Sequence, residues 1–384
     1  MLGSARTQWV VNSETIRCDG ATLAAAAGCA AARLTATVAA QTVTALSFSI
    51  DRLNTLAISA TDARCNAIPN KSFSIQGTKL IGAPNVLKFS TTTTMNANGI
   101  AIMQNLEWDT YALGVNDASY DLMGTIPLNP ITINPSSTQS FQFVLAPAAD
   151  PALLVTATDA ATGAGITGAS VAVSRSGFLK TQITGQTTVG QNDWSGGQYA
   201  SQSGGIDSSI PNILQLLANA SSSYPTSTTA SLISNTIDLG GSSSTLYSFS
   251  WTPAVQPPST GGQSVKFQIA ANNNNATWNF VGPDGTAGSY FTATPSSLPA
   301  SLSGNRYIRY EVFMSTQDPT TSPTLTGVSF AFSANCVPQA QTLFTGLAQG
   351  TYAVTVSAAN YENNSTTVSV GGGFQSSTIQ LVHQ

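Results

Sequence analysis

One pattern occurs twice in this chain, once nearly continuous and once torn apart. The first copy reads Leu56-Ala57-Ile58-Ser59-Ala60-Thr61-Asp62 and then Asn105-Leu106-Glu107-Trp108-Asp109-Thr110-Tyr111-Ala112-Leu113-Gly114-Val115. The second reads Leu153-Leu154-Val155-Thr156-Ala157-Thr158-Asp159 and, much later, Gly346-Leu347-Ala348-Gln349-Gly350-Thr351-Tyr352-Ala353-Val354-Thr355-Val356. The halves carry the period-two alternation of half-buried strands. Two related β-units in series satisfy this pattern, provided that foreign sequence interrupts the second. Each unit must bury a matching strip to form a core.

The residues between the halves follow the same grammar. In the first copy Ser72-Phe73-Ser74-Ile75 is a strand, Thr91 to Thr94 is β-branched, and Asn96-Ala97-Asn98-Gly99 is a turn. Ile131, Ile133, Phe141, Phe143 and Leu145 supply the closing strands. In the second copy Ser170-Val171-Ala172-Val173 and Thr181-Gln182-Ile183-Thr184 repeat the early strands, but foreign sequence stands where the turn is due. The pattern resumes near Thr342. Tyr352, Val354 and Val356 then match Tyr111, Leu113 and Val115; Tyr361 matches Tyr120; Ile379 and Leu381 match Phe143 and Leu145. The predicted fold is all-β: two Ig-like sandwiches in series, the second interrupted by an inserted sandwich. The predicted division is 1–53, a β-rich segment with a cysteine loop; 54–148, the first sandwich; 151–190 with 336–384, the split second sandwich; and 191–335, the insert. The insert is long enough for its own core, and its ends must lie close together to leave and re-enter one loop.

Charged residues are only 8% of the chain, against about 25% in an average globular protein. Low charge with many Ser, Thr, Gly and Val residues fits an all-β surface protein. A net charge of −4 with 13 basic residues carries no electrostatic footprint for nucleic acid. No run of about 20 apolar residues spans a membrane. Met1-Leu2-Gly3-Ser4-Ala5-Arg6 lacks the features of a signal peptide. Either the chain is cytosolic or an export segment precedes it; the composition favours the second, so the expected location is extracellular or at the cell surface.

Cys18 and Cys29 flank a Gly/Ala-rich loop, and their spacing suits a local disulfide; the alternative is two free thiols. Cys65 falls in the first loop of the first sandwich and Cys336 where the insert hands back to the second, so a Cys65–Cys336 bridge would staple the units together. No Cys-x-x-Cys spacing supports zinc.

Catalysis finds little footing. Nucleophilic triads need a histidine in a rigid site, and the one histidine is His383, beside the terminus. Glu14, Glu107, Glu311 and Glu362 show no acid–nucleophile context. No glycine-rich phosphate loop follows a strand. No catalytic residue, cofactor or metal is expected. Asp207, Asp238 and Asp284 are the carboxylates a calcium ion could draw on, without a ligand spacing to define a site. Binding has better material: Asn274, Trp278, Asp284 and Tyr290 combine aromatic faces with amide and carboxylate groups, as sugar sites do. The other reading makes Trp278 core and the asparagine run a solvated turn.

Thr158-Asp159, Gly163, Gly168-Ala169-Ser170-Val171, Gly346-Leu347, Gly350-Thr351-Tyr352 and Asn360-Tyr361 resemble the carboxypeptidase regulatory-like domain. That family lies close to the transthyretin-like and collagen-adhesin B-type sandwiches and has a carbohydrate-binding-like fold. The first copy keeps Thr110-Tyr111 but has Asp109 where the family has Gly. Many B-type domains carry a Lys–Asn/Asp isopeptide bond; neither first strand holds a lysine, so none is expected. Asp193-Trp194-Ser195-Gly196-Gly197 and Cys336-Val337-Pro338 resemble large bacterial type IV pilin-like surface proteins, although the hydrophobic N-terminal helix of that group is not among these residues. Ser234-Asn235-Thr236-Ile237-Asp238-Leu239-Gly240, Arg306-Tyr307-Ile308-Arg309-Tyr310 and Ser322-Pro323-Thr324-Leu325 resemble galactose-binding-like jelly rolls. These resemblances imply a non-enzymatic surface or pilus-associated adhesion protein displaying its insert, with glycans, host or cell-surface proteins, or pilus subunits as partners. The alternative is a carbohydrate-binding module of a secreted system.

Overall fold

The computed structural model describes residues 53–135 and 137–384, with the backbone of a short antiparallel pair, Arg17–Cys18 and Ala21–Thr22. The strands expected near Val10, Thr35 and Phe48, and the Cys18–Cys29 pairing, lie outside the described residues.

The described chain is all-β, as expected. In the first sandwich one sheet runs Tyr120–Ile126, Thr138–Pro147, Asn54–Thr61, Ile100–Leu106. The facing sheet runs Ile131–Ile133, Asp109–Val115, Ser72–Gly77, Ser90–Thr94. Alternation decides what enters the core: Leu56, Ile58, Ala60, Phe73, Ile75, Phe141 and Phe143 are fully buried. Burying each of these Leu, Ile and Phe side chains contributes about 1.5–3 kcal/mol.

The second sandwich repeats this plan. Ala152–Asp159 lies between Gln341–Phe344 and Phe374–Leu381, and the facing sheet runs Phe178–Ile183, Ser170–Arg175, Gly350–Ser357, Asn364–Val370. In both bodies the first strand pairs parallel with the last: Thr55 with Thr138 through Thr61 with Val144, and Ala152 with Phe374 through Asp159 with Leu381. Leu153, Val155 and Ala157 are buried as Leu56, Ile58 and Ala60 are. Tyr120 faces Pro147 and Tyr361 faces His383. Only the first sandwich continues from there into a full strand, Tyr120–Ile126.

The interruption has a definite place. In the first sandwich residues 95–99 join Ser90–Thr94 to Ile100–Leu106; in the second, residues 184–340 join the equivalent strands Phe178–Ile183 and Gln341–Phe344. The interposed chain forms its own sandwich. One sheet runs Thr187–Gln191, Gly327–Ser333, Thr245–Thr252, Ser296–Ser297; in the other, Tyr307–Met314 is flanked by Val265–Asn272 on one side and by Ala230–Ser234 and Ile237–Asp238 on the other. Tyr307–Met314 alternates strictly, with Ile308, Tyr310, Val312 and Met314 inward. Aromatic rings from both sheets meet between them: Phe249 and Phe267 at 5.0 Å, Tyr310 and Phe330 at 6.4 Å. Thr187 pairs with Phe332, so the chain leaves and returns side by side. Thr187–Gln191 thus joins the inserted sheet, although the predicted insert started only at 191.

Candidate functional site

Two places on the molecule concentrate interactions that the sequence singled out. The first is the outer face of the inserted sheet. Outward-pointing residues of Tyr307–Met314 are Tyr307, Arg309, Glu311 and Phe313, each partly exposed. The excursion after Asn272 runs along the free edge of Val265–Asn272, tied down by mutual hydrogen bonds of Ile269 with Val281 and Phe267 with Phe291. Gln268 Nε2 also donates to the carbonyls of Ala287 (2.8 Å) and Ser289 (2.9 Å).

This register separates the predicted ligand residues. Trp278 lies under the Arg309 guanidinium, 4.4 Å from ring centroid to cation, and Arg309 Nε donates to Thr236 Oγ1 at 3.0 Å. Tyr290 stacks edge-on against Phe313 at 5.2 Å and lies under Lys266 Nζ at 4.0 Å. Arg309 and Phe313 are four residues apart on one strand, about 13 Å, so the two aromatics mark opposite ends of the face. Asn274 and Asp284 turn inward on their own loops. Asn274 Oδ1 accepts from the backbone of Ala276 and Thr277. Asp284 Oδ1 accepts from Thr286 N and Oγ1 and from Ser289 Oγ. The side-chain bond from Ser289, then those from Thr286, hold the Asp284 carboxyl below its ordinary value. Glu311 stands between the aromatic pairs; burial raises its carboxyl above the ordinary range, partly opposed by a bond from Ser231.

Glu107 follows the strand Ile100–Leu106 of the first sandwich, Glu311 lies on Tyr307–Met314 of the insert, and Glu362 lies between Gly350–Ser357 and Asn364–Val370 of the second; Glu14 lies outside the described residues. His383 stacks on Tyr361 with ring centroids 5.0 Å apart. Asp238 is held bidentately by Arg306, both contacts at 2.9 Å, and Asp207 accepts from Ser209 and Gln215. Among the described residues no three His, Cys, Asp or Glu side chains converge to hold a metal. Also among them, no helix is long and apolar enough to cross a membrane.

The second place is the junction of the three bodies, built on the return segment from Cys336 to Thr342. Cys336 is disulfide-bonded to Cys65, with Cα atoms 5.3 Å apart. Val337 is buried in the inserted core. Thr167 Oγ1 donates to Gln339 Oε1 at 3.2 Å, and Ala157 N to the Ala340 carbonyl at 2.9 Å. Gln341 Oε1 accepts from Thr125 N of the first sandwich at 2.7 Å, a buried bond. Gly124, at φ 150°, lets the strands meet there; a Cβ would collide with Gln341 Oε1 and Pro338. Beside this joint opens a cleft of about 860 Å³ lined by residues of all three bodies, among them Arg64, Leu145, Lys180, Gln182, Phe332 and Thr342. The sequence flagged the bridge; the Gly124–Gln341 contact had no local signal, because neither residue is unusual for its own strand.

Trp194, singled out in the sequence for its Asp-Trp-Ser-Gly-Gly context, is an inserted-core residue. It is fully buried, and its Nε1 donates to Tyr310 Oη at 2.7 Å.

No family model and no curated protein matches this sequence. Among solved structures the chain is similar to a streptococcal ancillary pilin, at 9% identity and TM-score 0.19, covering 86% of this chain and 62% of that one. It is also similar to the shaft pilin SpaA of Lactobacillus rhamnosus GG, at 11% identity and TM-score 0.17, covering 87% and 98%. A third is the full-length major pilin SpaD of Corynebacterium diphtheriae, at 8% identity and TM-score 0.21, covering 88% and 99%. The chain therefore spans about 62% of the length of the ancillary pilin. At these scores the likenesses carry no argument, and the reading below rests on strand pairing, burial and the bridge.

Proposed function

We propose that this is a non-enzymatic extracellular or cell-surface protein in which two sandwiches in series carry the inserted sandwich as a displayed binding body. The bodies are residues 54–148, 151–184 with 338–384, and 185–337. The observation that carries this reading is the resumption of one sheet across the interruption: Ala152–Asp159 pairs with strands from beyond the insert on both of its edges. A body that leaves and re-enters at one point can be presented without disturbing its carrier. The bridge supports an oxidising, extracellular setting. The regulatory-like and type IV pilin-like resemblances, and assembly with pilus subunits, belong to the same proposal and rest on the sequence alone.

The ligand face would be the outer face of Tyr307–Met314, where Trp278 and Tyr290 are each held by a cation. The carbohydrate-binding alternative draws on the partly exposed Trp278: Arg309 meets one face of the ring, and the C–H face of a sugar would take the other. A glycan array probed with the full chain and with Trp278→Ala separates the readings. Saturable, sugar-specific binding that falls at least tenfold in the variant supports a carbohydrate module. Binding to host-cell surfaces without glycan selectivity supports a protein partner, and binding to neither sinks the displayed-module reading.

A further inference from the structure

We propose that the Cys65–Cys336 bridge is a load bypass: tension applied between the ends of the chain passes through it and skips the residues between. The inference goes beyond the display reading and does not depend on what the insert binds.

The argument is one of connectivity. Once non-covalent contacts yield, tension in a polymer follows the shortest covalent route. Entering from the N-terminal side, that route runs through the strand Asn54–Thr61 to Cys65, crosses to Cys336, and leaves through Gln341–Phe344, Gly350–Ser357, Asn364–Val370 and Phe374–Leu381. The bridge spans a sequence separation of 271. Everything inside that loop is removed from the route: the whole inserted sandwich, most of the first sandwich, and the opening strands of the second.

The strands left on the route are well placed to resist. Asn54–Thr61 is paired in parallel with Thr138–Pro147 over seven register positions, and Phe374–Leu381 with Ala152–Asp159 over eight. Drawing either strand along its own axis shears its ladder, loading all of those positions together instead of one after another. Both of these strands thus lie against partners inside the closed loop, Thr138–Pro147 and Ala152–Asp159, so the loop serves as an anchor block. The return segment completes the device: directly after Cys336 it is fixed to the insert through Val337, to the second sandwich through Ala340, and to the first through Gln341. The load therefore crosses between bodies at a point where all three are joined, and the outer face of the insert stays off the path.

The test is single-molecule stretching of the full chain between handles at its two termini, oxidised and as the Cys65→Ser/Cys336→Ser variant, with Cys18 and Cys29 present in both. Opening a 271-residue loop adds about 950 Å of extensible chain at roughly 3.5 Å per residue. The expected result is that the oxidised protein never yields this length, whereas the variant does. Should the variant fail to fold, a thiol reductant added to oxidised protein already under load must release the same length. Equal final extensions of oxidised protein and variant, or no added length after reduction, overturn the proposal.

Discussion

Tyr111 and Tyr352 hold the same bond in two bodies. Each ring is buried, each hydroxyl donates to the carbonyl four residues earlier (Glu107 at 3.0 Å, Ala348 at 2.8 Å), and each ring meets a phenylalanine edge-on at 5.7 Å, Phe89 or Phe178. This is the tyrosine corner of sandwich folds. Removing either hydroxyl leaves a partly buried acceptor unpaired. Tyr352→Phe and Tyr111→Phe should each cost about 1–2 kcal/mol, adding in the double variant because the two cores are separate. Urea unfolding measures this, and a loss confined to one of the two sites would break the equivalence. The tyrosines were legible because alternation and spacing place them on the inward face. The departure at Asp109 was visible but not its use. Gly350 adopts φ 142°, whereas Asp109 accepts from Thr78 Oγ1 at 2.7 Å, Lys79 N at 3.1 Å and Thr110 N at 2.7 Å. Burial alone would raise that carboxyl; these bonds and the Lys79 charge bring it below its ordinary value. Its partners come from a different strand connection, which no local pattern announces.

At the scale of elements, the strand Tyr120–Ile126 is what the second sandwich lacks and what the joint between the sandwiches uses. Gly124→Ala places a methyl group against Gln341 and Pro338 and should cost about 1–3 kcal/mol, read as a lowered melting temperature; an unchanged melting temperature would show that the joint is slack. The inserted strands were legible as runs of alternating residues, including Tyr307–Met314. The separation of Asn274, Trp278, Asp284 and Tyr290 was not, because their positions are set by the register of Val265–Asn272 against Tyr307–Met314, not by nearness along the chain. The onset of the insert at Thr187 was equally hidden: a strand's letters do not say which sheet it joins.

For the whole molecule, the account comes down to an exchange at one loop, residues 95–99 in one sandwich against 184–340 in the other. The bridge, the return segment and the cleft among the bodies follow from where that exchange occurs. The most direct measurement is amide hydrogen exchange on a chain in which 184–340 is replaced by the five residues Met95-Asn96-Ala97-Asn98-Gly99, compared with the intact protein. Cys65 then loses its partner, so the grafted chain carries Cys65→Ser and the intact chain carries Cys65→Ser with Cys336→Ser. The account predicts that the amides of Ala152–Asp159, Gly350–Ser357 and Phe374–Leu381 stay protected in the grafted chain, as a sandwich closed by the short turn of its sibling. Rapid exchange across those three strands, with the first sandwich still protected, would contradict it.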